Sequence, residues 1–235
     1  MIPIPIFGTQ TANSLTNIKR LIDSIDYPIH TISIVVNNKN IEMFHEVEKY
    51  AKNNSFIQNV SVSFHPTNLG TPASWNYHFK THPQSEYFIK VDDDIELGKG
   101  NLEQIINSLL NGDELVFASP IFSYAFFGIK KSALKKIGLF DENLYPCNYE
   151  DDDYEIRQKK LGIKVKTLNL SFTHTSSGTS RNLQKNEHAE KMVPYIKITK
   201  EYFDKKWSGE FGDPMSWNYN FNYRENKKLE FDYYT

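Results

Sequence analysis

Ile2, Ile4 and Ile6 alternate with Pro3 and Pro5. Because proline lacks the ladder donor, this pattern predicts an edge strand or the start of a strand. Residues 8–13 read as a polar loop. Ser14 is placed to cap a helix in which Leu15, Ile18, Leu21, Ile22 and Ile25 recur at helical spacing, up to the stop at Asp26-Tyr27-Pro28. Residues 31–36 (TISIVV) are dense in apolar and β-branched side chains, as a parallel strand buried on both faces would be. A helix over 41–52 and a strand over 60–64 complete a β-α-β-α-β order, the signature of an α/β layer fold. A loop over 67–72 leads to a helix over 73–80 that presents Trp75 and Phe79 on one face. The apolar strand over 87–91 stops on Asp92-Asp93-Asp94.

A helix over 101–110, a strand over 114–119 and a further strand at Phe126-Phe127-Gly128 come next. They are followed by a short helix over 131–136 and a turn-rich stretch over 138–148. A helix over 151–161 ends at Gly162, which suits a helix terminus. Then come a strand over 163–168, a polar loop over 176–182, and a helix over 187–203 that runs through Pro194. Beyond Trp207 the residues are Gly, Asn, Tyr, Trp and Phe without clear periodicity. No internal repeat or long linker interrupts the chain, so one domain with a peripheral C-terminal segment is expected.

The 235 residues contain 39% hydrophobic and 14% aromatic side chains, enough to fill a core and to exclude wholesale disorder. Lys and Arg number 27 against 29 Asp and Glu, a balance that argues against a protein living on nucleic-acid phosphates. The single cysteine, Cys147, rules out an intrachain disulfide and a thiolate-rich zinc site, and fits a reducing compartment. The opening MIPIPIFGTQ does not read as a signal peptide, and no apolar run approaches the about 20 residues that span a bilayer. A cytoplasmic protein is the expectation.

The charges are more telling where they cluster. Asp92-Asp93-Asp94 closes a strand, and open α/β sheets collect ligands at the carboxyl ends of their strands. Three adjacent carboxylates repel one another unless a cation or solvent relieves them, and a hard divalent ion shared with phosphate oxygens is the usual partner. An acidic surface turn would explain this triplet taken alone. Glu150-Asp151-Asp152-Asp153 opens a helix, where exposed N–H groups favour negative charge, yet four acids exceed what capping needs. Glu150 and Asp151 are expected to face a cleft, while Asp153 or Glu155 anchors the loop. His174 closes a strand before a Ser/Thr-rich loop, and imidazole suits ions of the Mn²⁺ class.

Together these elements resemble a GT-A-fold nucleotide-sugar glycosyltransferase of the family 2 type, similar to bacterial and large-DNA-virus members. The resemblance spans roughly residues 2–207. It rests on PIFGTQTANSLTNIKRLIDSI, TISIVVNN, NLGTPASWN, VDDDIEL, GLFDENLYPCNYEDDDYEIRQKKLG and FTHTSSGTS, with YFDKKWSG near the end. It implies a Rossmann-like mixed central sheet flanked by helices. A catalytic domain would occupy 1–206, with a nucleotide-binding part of about 1–98 and an acceptor-binding part of about 99–206. An aromatic segment, 207–235, would pack on it.

The resemblance also implies roles. Thr9 would line the nucleotide base, and Asn68 and Gly70 would lie near base and ribose. Asp92 would contact the ribose or the water shell of the metal, with Asp93 beside it in the donor site. Asp94 and His174 would ligate Mn²⁺ or Mg²⁺, Asp151 would be the catalytic base, and Arg181 would help cover the diphosphate. Family members usually carry an acid after the second strand, where this chain has Asn37-Asn38. An amide still reads a base edge with both donor and acceptor, and uridine is expected ahead of thymidine. The implied activity is inverting, metal-dependent sugar transfer from a nucleoside-diphosphate sugar to a hydroxyl of a glycan or glycoconjugate. The competing readings are a sugar-nucleotide nucleotidyltransferase and a non-catalytic glycan-binding protein of the same fold.

Smaller features have two readings each. Gly128 would allow close approach of a sugar or mark a bend in the sheet. Trp75 and Phe79 read as core residues rather than sugar platforms. Tyr145, Pro146 and Tyr149 would wall an acceptor site, and Trp207 would anchor the tail. The other histidines are expected in helices or turns. Cys147 has no paired histidine base and does not read as a nucleophile.

Overall fold

Alternation of side chains along the strands sorts them to the two faces of one sheet, and helices cover both faces. The computed structural model describes residues 2–12, 14–175, 187–210 and 212–216. The first half runs β1 (Ile4–Thr11), α1 (Leu15–Asp23), β2 (Ile29–Asn37), α2 (Ile41–Lys52), β3 (Ile57–His65), α3 (Thr71–Thr81), β4 (Tyr87–Val91) and β5 (Ile95–Glu96). The second half runs α4 (Asn101–Leu110), β6 (Leu115–Phe117), β7 (Phe126–Lys130), α5 (Lys131–Ile137), α6 (Glu150–Lys160), β8 (Val165–Thr167), β9 (Thr173–His174) and α7 (Glu187–Ser208). A short 3-10 turn, Pro214–Ser216, follows.

Seven strands form a sheet in the order β3-β2-β1-β4-β7-β6-β8, and β5 pairs with β9 in a separate two-stranded ribbon. The pairs β1–β2, β2–β3, β1–β4 and β6–β8 are parallel, whereas β7 is antiparallel to both β4 and β6. This is the mixed α/β layer architecture expected from the element order. On one face Phe7, Ile34, Ile89, Val116 and Phe126 pack with Ile18, Leu21, Val47 and Ile105 of α1, α2 and α4. On the other, Ile6, Phe88, Leu115, Phe127 and Ile129 pack with Trp75, Phe79, Leu134 and Tyr154 of α3, α5 and α6. Full burial of such side chains contributes about 1.5–3 kcal/mol each.

Trp75 and Phe79 are core residues, as their spacing suggested. A Cβ on Gly128 would sit 2.7 Å from Ile105 Cγ2 and 2.9 Å from Leu109 Cδ1. That glycine therefore makes room for α4 against the sheet, which is neither of the roles read for it from sequence. Ser14 caps α1, its Oγ accepting from the Asn17 amide at 3.2 Å.

Several expectations are corrected. β1 is not at an edge: it lies between β2 and β4, and it extends through the predicted loop as far as Thr11. Its prolines stay at the start, where the ladder begins from Ile4 and passes over Pro5. α1 stops at Asp23 rather than near Ile25, and β3 is longer than expected because β2 templates it along its whole length. β6 and β8 are shorter. β5 was missed, because a two-residue strand carries no readable period, and the strand that His174 was expected to close is the two-residue β9. His30 and His65 lie in strands rather than helices or turns. α7 contains Pro194, as expected, and runs past Phe203 to include Trp207. Among the described residues, no helix is long and apolar enough to cross a membrane.

Candidate functional site

The connections leave β1 first toward β2 and β3, then return to its other side at β4. Such a reversal opens a crevice outside the carboxyl ends of the two strands, where open α/β sheets bind ligands. Asp92-Asp93-Asp94 follows β4 at this point. Gln10, near the end of β1, spans the crevice by donating from Nε2 to Asp92 Oδ1 at 2.9 Å.

Lys90 is a buried cation of this crevice. It is only 2% exposed, its ammonium donates to Asp92 Oδ1 and to the Tyr124 carbonyl at 3.1 Å, and it lies 3.8 Å from the centre of the Trp75 ring. Burial pulls Lys90 below the usual lysine range, with Asp92, Glu150 and Asp94 pulling back. Burial, reinforced by the neighbouring Asp94 and Asp92 charges, pushes Asp93 up to about 7. Neither Gln10 nor Lys90 was singled out from sequence. The signal for Lys90 was present: a charged residue inside the apolar run YFIKV has to find a partner when buried.

Asp94 and His174, far apart in sequence, are brought together by the β5–β9 ribbon. His174 Nε2 lies 3.2 Å from Asp94 Oδ1, and both side chains are largely buried. The arrangement is pinned from several sides. The Thr175 amide donates to the Asp94 carbonyl at 3.0 Å, the Thr175 hydroxyl bonds the same oxygen at 2.9 Å, and Arg20 donates to that hydroxyl. The Phe122 ring meets the His174 ring edge-on at 4.5 Å between centres. A carboxylate and an imidazole nitrogen at this spacing suit neighbouring positions on one divalent ion with ligand distances of about 2.1 Å. Among the described residues, no group of three or more His, Cys, Asp or Glu side chains is arranged to hold a metal.

Glu150 and Asp151 start α6, and they differ. Glu150 is 6% exposed, its Oε2 has no hydrogen-bond partner among the described residues, and burial followed by the Asp151 charge raises it well above the usual carboxylate range. Asp151 is exposed, with Oδ1 accepting from the Asp152 amide at 3.0 Å. One turn on, Asp153 is fully buried and does the anchoring. It binds Arg157 Nε at 2.9 Å, Lys206 Nζ at 2.6 Å and the Trp207 indole at 3.1 Å. Lys206 also holds Asp141 at 2.8 Å, so α7 is clamped to the start of α6 by buried charge. Trp207 thus acts as an anchor through helix α7.

The remaining candidates have defined surroundings. Thr9 is wholly buried, and its hydroxyl has no partner among the described residues. Asn37, also buried, braces the loop before α3: it donates to Ser74 Oγ at 2.9 Å and accepts from the Leu69 amide at 3.1 Å. Asn68 accepts from the Gly70 amide at 2.8 Å. Gly70 has φ +78°, and a Cβ there would lie 2.7 Å from Tyr145 and 2.8 Å from the Pro146 carbonyl, so only glycine allows this close approach. Tyr145 is nearly buried and precedes a cis Pro146. Burial raises the Cys147 thiol well above its usual value, which disfavours a thiolate nucleophile. Arg181 lies outside the described residues.

No protein-family model matches the sequence, and no curated protein matches it. Solved structures do. S. aureus TarS 1-349 superposes with a TM-score of 0.56 at 16% identity, over 87% of this chain and 73% of that one. A longer S. aureus TarS structure gives 0.54 at 14% identity, over 96% of this chain and 44% of that one. The catalytic domain of Drosophila beta1,4galactosyltransferase 7, in complex with xylobiose, gives 0.51 at 11% identity, over 80% of this chain and 79% of that one. At such identities the likeness concerns the fold: a mixed central sheet between helical layers, the Rossmann-like GT-A arrangement.

Proposed function

We propose that this chain is an inverting glycosyltransferase that moves a sugar from a nucleoside-diphosphate sugar, with uridine as the favoured base, to a hydroxyl of a glycan or glycoconjugate. The observation that carries the reading is the Asp94–His174 pair at 3.2 Å, set at the crevice between β1 and β4. The galactosyltransferase neighbour, solved with xylobiose, agrees with a sugar-handling role for the fold. Thr9, Asn37, Asn68 and Gly70 belong to the nucleotide side of the crevice in this reading. Asp92 and Asp93 adjoin the ribose and diphosphate, and Arg181 adds a cation over the latter.

Asp94 and His174 would hold Mn²⁺ or Mg²⁺, which when bound supplies neutralising charge for the departing diphosphate. The chain's own residues do the rest. Asp151, exposed at the start of α6, takes the proton from the acceptor hydroxyl as that oxygen attacks the anomeric carbon. Burial and the Asp151 charge raise Glu150 beside it well above the usual carboxylate range, which favours its neutral form and eases its repulsion of Asp151. A single base on the face opposite the leaving group gives inversion.

The test is a panel of nucleotide sugars with Mn²⁺, read by thermal stabilisation and by the products released. Release of nucleoside diphosphate is expected. Release of pyrophosphate from a nucleoside triphosphate and a sugar phosphate would instead favour the nucleotidyltransferase reading, and binding without turnover a non-catalytic glycan-binding protein.

A further inference from the structure

β6 and β8 run parallel to each other, and β6 runs in the same direction as β4, because both are antiparallel to the β7 strand between them. The carboxyl ends of β6 and β8 therefore open on the same edge of the sheet as Asp92-Asp93-Asp94. A cavity of about 330 Å³ lies there, lined by Phe117, Pro120, Ser123, Glu155, Lys159 and Thr167 among others. Its volume falls at the lower end of small-ligand sites.

Helix α6 ties this cavity to the proposed base. Asp151, Glu155 and Lys159 recur at four-residue spacing, so they lie along one face, each about 6 Å beyond the last along the helix axis. Tyr124 packs its ring against Phe117 of the lining and against Tyr154 of α6. It follows Ser123 and is 6% exposed, and its hydroxyl has no hydrogen-bond partner among the described residues. The charges of Glu155 and Asp151 both act on it.

The lining specifies the occupant. Phe117, Pro120 and Val165 supply the apolar part of the lining. Ser123, Glu155, Lys159 and Thr167 supply hydroxyl, carboxylate and ammonium groups. Glu155 and Lys159 neutralise each other at 2.6 Å, so the cavity favours an uncharged ligand. The Ser123 hydroxyl makes only long bonds of 3.4 Å to the Ser119 and Pro120 carbonyls and can exchange them for better ones. An uncharged ring with an apolar face and a polar rim meets all of these demands.

We infer that this cleft is a saccharide subsite. It seats a neutral sugar unit of the acceptor, one or two units beyond the ring whose hydroxyl reaches Asp151. The inference rests on the glycosyl-transfer reading for its purpose, but its test does not depend on turnover. Cellobiose, lactose, maltose and N,N′-diacetylchitobiose are offered to the whole chain at millimolar concentration, with saturation-transfer NMR as the readout. At least one is expected to bind. Ser123→Trp and Thr167→Trp, which fill the cleft, are expected to weaken that binding at least about tenfold. Lys164→Ala, an exposed site not among the lining residues, is expected to leave it unchanged. If a tryptophan variant misfolds by circular dichroism, Glu155→Ala replaces it with the same expected loss. Binding that all cleft variants leave intact overturns the inference. So does failure of every disaccharide, whether or not an alkyl chain binds in their place, and a bound alkyl chain would point to a lipid-linked acceptor. Calorimetry with UDP and Mn²⁺ on the same protein separates the two readings, since donor binding can fail or succeed independently of the saccharide.

Discussion

Two groups of carboxylates lie close together in this molecule and are treated in opposite ways. Asp141 and Asp153 are buried, and they share Lys206, with Arg157 and the Trp207 indole completing the shell around Asp153. Asp92, Asp93, Asp94, Glu150 and Asp151 gather at the carboxyl edge of the sheet around one buried cation, Lys90. In the first group charge is neutralised within the protein, and its product is rigidity: α7 is fixed to α6. In the second, among the described residues, acids outnumber cations, and the repulsion between like charges opposes folding. The number of acids does not separate a structural cluster from a candidate site; the supply of internal cations does.

The largest expected effects test the difference in role. Asp151→Asn should lower sugar transfer by about 10²–10⁴-fold while nucleoside-diphosphate binding persists, as product assays and calorimetry together would reveal. Comparable turnover would remove Asp151 as the base. Asp153→Asn should do the reverse. Taking one partner from this buried network is expected to cost about 3–5 kcal/mol in urea denaturation, with metal-dependent nucleotide binding retained while the protein is folded.

Ligand linkage sharpens the contrast. UDP and Mn²⁺ at about one hundred times their dissociation constant should stabilise the protein by about 2.7 kcal/mol. Chelation of the metal or Asp94→Ala should abolish the metal-dependent part of that gain. A gain that survives both would place the ion elsewhere.

The smallest effect is a pH dependence. Asp93 is raised from 3.8 to about 7 by burial and by its charged neighbours. A carboxyl raised on folding contributes stability that is full below its unfolded value and is lost as pH rises through about 7. Asp93→Asn should therefore match the parent near pH 4 and exceed it by about 1–2 kcal/mol near pH 8, measured without metal. An equal difference at both pH values would show that the site does not carry this strain.

Much of the fold could be read from local pattern. α2, β4 and α4 fall where their periodicity placed them, because each has a strong apolar rhythm bounded by Asn, Asp or Gly. The extent of β1 could not be read: Gly8, Thr9, Gln10 and Thr11 look like a loop until β2 supplies a parallel partner along their length. The ribbon of β5 and β9 was invisible for the same reason, and with it the contact between Asp94 and His174. The resemblance named both residues, but no spacing in the chain measures the distance between them. Lys90 and Gln10 were missed because their role depends on what lies opposite them.

By itself the sequence determined the α/β class, the helices and strands of strongest period, the core role of Trp75 and Phe79, and the two acidic stretches with their strand-end histidine. These follow from local chemistry: side-chain spacing, capping and the clustering of like charge. Tertiary structure alone decided which acids are neutralised and which are left in excess. It placed Lys90 beneath Asp92, Lys206 against Asp153, and His174 beside Asp94. The physical reason is that charge compensation is set by distance in space, and the partners that decide it come from strands and helices far apart in the chain.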